Sequence, residues 1–215
     1  TFARHGATGN FFGVKVGDLK PIAKKVKINH SLALALYNTG NSDAQYLAGL
    51  IADPKLFSES DFKQWLDKAE WYMISEYAIA WNIAESPICI DVCKNWIASN
   101  ENELNVVGWA ALNAHLGITP NENLDSNYLA ELLERVEQKI HTQSNRVKYV
   151  MNGFVIALGA ALPEFTSKCK EVGVHIGKVD VFMGDTACKV PDIVTYIEKI
   201  EKMNRIGNKK KNAKC

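Results

Sequence analysis

The stretch EWYMISEYAIAW (70–81) crowds four aromatic rings, Trp71, Tyr72, Tyr77 and Trp81, around two carboxylates, Glu70 and Glu76. On a helix, Tyr72 and Glu76 stand one turn apart on the same side. An acid in that position has two uses. Paired with a Lys or Arg, or capping a backbone donor, it is structural. Projecting into open space beside Tyr72, ringed by basic groups, it can stabilise positive charge that develops in a ligand. A second constellation lies in NRVKYVMNGF (145–154). Arg146, Tyr149, Asn152 and Gly153 share one side of a helix whose remainder is apolar, and Gly153 permits close approach to the backbone. A third is the row Lys20, Lys24 and Lys27 at i, i+4 and i+7. It suits a solvated outer face or a line of backbone phosphates.

The elements that must position these groups read as helices almost throughout. Leu19, Ile22, Ala23 and Val26 form the apolar stripe of a helix over 18–29, with Asp18 a candidate N-cap. Further helices are expected over 30–40, 42–54 and 58–69, the last with Ser58 and Asp61 in capping-box spacing. Others follow around 71–86, 88–98, 103–116, 125–141, 145–162, 163–172 and 190–203. KVDVFMG (178–184) alternates like a strand, but one short strand makes no sheet. Short helices paired in succession suit an α-solenoid or a compact bundle. No residues recur at a fixed period, and a degenerate array of paired helices needs none.

Composition removes several function classes. The chain has 215 residues, 47% hydrophobic and 23% charged, a soluble globular profile long enough to bury a core. No secretory leader or membrane-spanning run is visible, so a cytoplasmic protein without membrane contact is expected. The cysteines are odd in number and lack a CxxC pair, which suits reduced thiols. Cys89 and Cys93 lie one helical turn apart with no histidine near them in sequence, so no metal is expected. GVHIGKV (173–179) is one residue short of a phosphate-binding loop and lacks its Ser or Thr. From Lys202 onward there are six basic residues and no acid, which leaves 19 basic against 24 acidic residues in the body. The body is therefore no uniformly basic nucleic-acid binder, and a polyanion must meet a local patch or the tail. The tail itself has no apolar run to offset the entropy of ordering it, so deleting 207–215 is expected to leave stability nearly unchanged. His5 is expected in a disordered terminus.

Long phrases of the chain, in order, carry a family resemblance: HSLALALYNTGNSDAQYLAGLIADP, EWYMISEYAIAW, NRVKYVMNGFVIALG, GKVDVFMGDTACKVPD and the lysine-rich end. From about Phe12 to Cys215 the sequence resembles AlkD-type DNA alkylation repair proteins. The resemblance implies an all-α, HEAT-like α-solenoid of one domain over 1–203 with a basic tail over 204–215. It also implies a concave basic face for duplex DNA, alkylated where the protein is active, a monomeric state and no cofactor. Active members are DNA glycosylases that excise cationic N3- and N7-alkylated purines. The cationic base is a good leaving group, so the site needs a carboxylate beside the sugar rather than a general acid. Their motif places a Trp four residues before a catalytic Asp. Tyr72 stands at the first position and Glu76 at the second, which makes these two the implied catalytic pair. Glu is one methylene longer than Asp, and no Trp after Trp109 can supply a second cleft ring. Arg146 or Lys148 answers to the cleft Arg. The implied DNA contacts are Lys20, Lys24, Lys27, Trp71, Arg146, Lys148, Tyr149 and Asn152, with Trp71, Tyr77 and Trp81 serving mainly as packing. A non-catalytic DNA-binding or protein-interaction scaffold on the same fold is the alternative.

Overall fold

The structure is a computed structural model that describes residues 3–214. Within them the chain forms eleven α-helices. These are α1 (Val16–Val26), α2 (His30–Tyr37), α3 (Ser42–Ile51), α4 (Glu59–Leu66), α5 (Ala80–Glu85), α6 (Cys89–Ala98), α7 (Asn102–Leu116), α8 (Ser126–Lys139), α9 (Asn145–Ala161), α10 (Pro163–Ile176) and α11 (Ile193–Lys202). Side chains set many of the starts by accepting from first-turn amides that lack helical partners. Asn29, Asn41, Asp125 and Asp192 do so, and Ser58 with Asp61 closes a reciprocal capping box. The first helix departs from expectation. It begins at Val16 rather than after Asp18 and carries Pro21 in its interior, so the carbonyl of Gly17 goes without a helical donor.

No strand forms among the described residues; Asn10 and Asn41 share an isolated bridge. The alternating segment 178–184 is extended and unpaired. It is pinned instead to the start of α9, where Asn145 donates to the carbonyl of Phe182 and accepts from its amide at 2.8 and 2.7 Å.

The helices make two rows. In one, α3, α5, α7, α9 and α11 pack in succession, with the turn before α5 bridging α3 and α7. In the other, α2, α6, α8 and α10 back onto α3, α7, α9 and α9, and α4 backs onto the turn before α5. The apolar stripe of each helix is thus buried between rows, around Trp96, Trp109, Phe62, Phe154 and a stacked Tyr37–Trp65 pair. Cys89 and Cys93 lie 3.8 Å apart inside this core. Contrary to the sequence expectation, a histidine is close. His115 comes over from α7, and the bond from Cys93 pulls the Cys89 thiol down to about 6 against its burial, with His115 assisting. No metal-holding cluster of three or more donors occurs among the described residues. No helix among them is long and apolar enough to cross a membrane.

The described segments near both ends, read from sequence as unanchored, lie on the body. At the start, the buried carboxylate of Asp43 accepts from the amides of Phe12, Gly13 and Val14 at 2.6, 3.1 and 2.9 Å. At the end, hydrogen bonds supplement the single buried apolar side chain of the tail, Ala213. The Gly207 amide donates to the carbonyl of Ala160 and that of Lys210 to Gly117. The Lys209 ammonium donates to the carbonyl of Leu116 and that of Lys214 to Ala52, each at 2.8 Å. Glu85 accepts from the amides of Ala213 and Lys214. These partners are the last turns or caps of α9, α7, α3 and α5, where carbonyls lack helical donors and favour cations. Cys215 lies outside the described residues.

Burial lowers the Lys214 ammonium from 10.5 to about 8. The unfolded chain therefore holds a proton that the folded chain releases between those values, and stability rises with pH across that window. The melting temperature of the wild type relative to Lys214→Met is expected to climb from pH 8 to 10.5. A difference that stays flat would show the ammonium to be solvated.

Candidate functional site

The turn that carries Glu76 is not α-helical. Residues Ile74–Ile79 form a π-helical turn leading into α5, a widening often found at functional sites. Two residues hold it open. Asn82 donates to the carbonyl of Ala78 inside the turn and to that of Gly49 on α3, at 2.7 and 2.8 Å. Gly49 supplies the room, since a Cβ there would stand 2.5 Å from that of Ala78.

The carboxylate of Glu76 meets the guanidinium of Arg146 in a bidentate pair, Nε to Oε1 at 2.7 Å and the second nitrogen to Oε2. The glutamate side chain is 4% exposed and that of the arginine 26%. The rings of Tyr72 and Tyr149 lie against the guanidinium at 4.4 and 4.5 Å, a cation–π arrangement. Arg146 occupies the first turn of α9, where a cation opposes the helix dipole; Glu76 offsets it. Burial pushes the Glu76 carboxyl up while the bonds and charge of Arg146 pull it down. Burial alone would lower the guanidinium, and the bonds to Glu76 together with its charge outweigh that and hold it up. The tyrosine hydroxyls are raised, mainly by burial.

Beside the pair opens a cleft of about 550 Å³ bordered by Tyr72, Glu76, Arg146 and two further acids, Glu70 and Glu103. Three carboxylates surround one guanidinium that is already paired, so this cleft is acidic. His5 roofs one side. Its carbonyl accepts from the indole N–H of Trp71 at 2.9 Å, and its Nδ1 lies 3.4 Å from the Tyr72 hydroxyl.

The structure thus joins Tyr72, Glu76, Arg146 and Tyr149 and sets other expected residues apart. Asn152, expected at the cleft mouth, is 2% exposed and donates to the carbonyl of Pro191, where it anchors the segment before α11. Trp71 borders the cleft but is 9% exposed. Lys20 and Lys24 stand on the exposed side of α1, opposite the buried Leu19, and Lys27 lies just past its end. Lys148 is half-buried near Asp180. Sequence reasoning missed Asn82 and the π-turn, and it placed His5 in a disordered terminus where the structure sets it against Trp71 and Tyr72. Only Gly49, a glycine inside a helical pattern, carried a sign of the close approach.

The two rows of paired helices, with Glu76 and Tyr72 meeting Arg146 and Tyr149 of α9 between them, make up a HEAT-like repeat solenoid. The chain belongs to the DNA alkylation repair enzyme family, whose model matches residues 1–168. A solved structure described as "a new family of proteins related to the HEAT-like repeat DNA glycosylases with affinity for branched DNA structures" superposes with a TM-score of 0.90 at 37% identity. That match covers 100% of this chain and 91% of the other. Among curated relatives, the uncharacterized protein Lmo0209 of Listeria monocytogenes is 32% identical over 204 residues, 92% of this chain and 88% of its own. The uncharacterized protein Lin0241 of Listeria innocua is 31% identical over 212 residues, 96% and 90% of the two chains.

Proposed function

We propose that this protein binds branched DNA and does not excise bases. The observation that carries this reading is the bidentate Glu76–Arg146 pair. The acid that would face a sugar and the arginine that would hold a phosphate satisfy each other, and neither is left with net charge for a ligand. The described affinity of the structural neighbour for branched DNA supplies the substrate class. Phosphate contacts fall outside the acidic cleft, on the exposed Lys20, Lys24 and Lys27 and, at the edge of α9, on Lys148. In a gel-shift titration, a three-way junction is expected to bind about tenfold tighter than a linear duplex of the same composition. Changing Lys20 and Lys24 together to Gln should flatten the salt slope by about 2, close to one unit per lost duplex phosphate contact. Equal affinity for junction and duplex would overturn the branched-DNA reading.

One observation favours glycosylase activity on alkylated purines instead: Tyr72 and Glu76, the implied catalytic pair, both border an open cleft. Release of methylated base from duplex DNA, lost in Glu76→Gln with affinity intact, would establish that chemistry. Its absence in the wild type is the expected result.

A further inference from the structure

A larger cleft lies elsewhere, about 790 Å³ between α7, α9, α11 and the C-terminal segment. From Arg146 to Ala157 on its floor is about 16 Å along α9, some three turns, so the two clefts are distinct. Their linings differ in kind. No carboxylate borders this one, while Lys199, Arg205, Lys209 and Lys210 do. Lys209 is committed to the carbonyl of Leu116. The other three are exposed and enter no salt bridge among the described residues. The floor is apolar, built from Ile156, Ala157 and Met203, with Tyr196 at its edge. Met203 is 48% and Tyr196 44% exposed.

We propose that this second cleft holds unpaired nucleotides at a DNA branch, with phosphodiesters against Lys199, Arg205 and Lys210 and a base against Tyr196 and the apolar floor. The proposal rests on the DNA-binding reading above and adds a site to it. A duplex arm offers this surface only phosphates and sugars, because its base faces are stacked on one another; the exposed ring and floor would go unused. A single strand offers both chemistries at once, and a cationic groove with an aromatic platform is how sequence-tolerant single-strand binding works.

The test uses the full chain and fluorescence anisotropy on three DNAs: a linear duplex, a fully paired three-way junction, and that junction with one arm left as single-stranded oligothymidine. The wild type should bind the last most tightly. Arg205→Gln with Lys210→Gln should lose about tenfold on the unpaired-arm junction and flatten its salt slope by about 1.4, at 0.7 per single-strand phosphate. Affinity for the fully paired junction should stay unchanged. Tyr196→Ala should cost about tenfold on the unpaired arm alone. Photo-crosslinking of wild type to 5-iododeoxyuridine in that arm should modify the peptide holding Tyr196. Equal losses on paired and unpaired junctions, or no crosslink there, would overturn the proposal and leave the DNA-binding reading standing. A wild type that binds none of the three DNAs would overturn both.

Discussion

Replacing Arg146 with Met should lower the melting temperature by about 10 °C, and adding Glu76→Gln should restore most of it. The single change leaves a carboxylate that is 4% exposed without its partner. An uncompensated buried charge costs about 3 to 5 kcal/mol, and the partial exposure of Arg146 places this case at about 3. For a chain of this size each kcal/mol moves the midpoint by about 2 to 4 °C. Removing both charges ends the penalty, since a buried pair contributes little over a neutral one. The sign with pH follows. Burial raises the Glu76 carboxyl above its ordinary 4.5, and without Arg146 nothing opposes that rise. The variant should therefore regain stability as pH falls from neutral toward 4.5, because the folded state takes up the proton before the unfolded one does, and below 4.5 the carboxyl is protonated in both. Thermal melts of the four proteins of the cycle, at pH 7 and pH 5, check this. A loss under about 3 °C for Arg146→Met would mean that water already screens the pair, which would return Glu76 to the pool of groups free for chemistry.

Deletion of residues 207–215 should cost about 2 kcal/mol, roughly 5 °C. Six hydrogen bonds to the ends of α3, α5, α7 and α9 go, among them those from the Lys209 and Lys214 ammonium groups. At about 1 kcal/mol for each amide donor and up to about 3 for each ammonium, they exceed by a small margin the roughly 1 kcal/mol per residue that ordering the segment costs. This reverses the expectation drawn from composition. A melting temperature changed by less than 1 °C would show that the segment is not held.

The reason for that reversal separates what was legible in the sequence from what was not. Helix existence and order were legible because apolar spacing and caps such as Ser58–Asp61 are local signals. The helix pairs suited a solenoid and a bundle equally, and the family resemblance decided for the solenoid. Tyr72 and Glu76 were singled out because an acid among rings is conspicuous in twelve residues. That Glu76 would meet Arg146, seventy positions away, is a fact of how the π-helical turn before α5 and helix α9 both pack against α7. The notion of an acid projecting into open space could not be weighed against a partner that only folding supplies. Asn152 was misassigned for a related reason. A polar residue on an apolar helix reads as a cleft group, but here it satisfies a backbone carbonyl brought in by the segment before α11. The tail was misjudged because hydrophobic content is a poor guide where the binding surface is a row of bare carbonyls.

That row gives the C-terminal segment a mechanical meaning. Stacked helix pairs touch only their neighbours, so a solenoid deforms as a spring does, by small rotations that add along its length. The end of this chain crosses four successive turns of that spring and is tied to each, at α9, α7, α5 and α3. It acts as a bowstring: uncoiling the array requires the ties to stretch together, and rotation between any two turns is transmitted to the rest. A molecule strung in this way holds its curvature under load, where an unstrung one would bend.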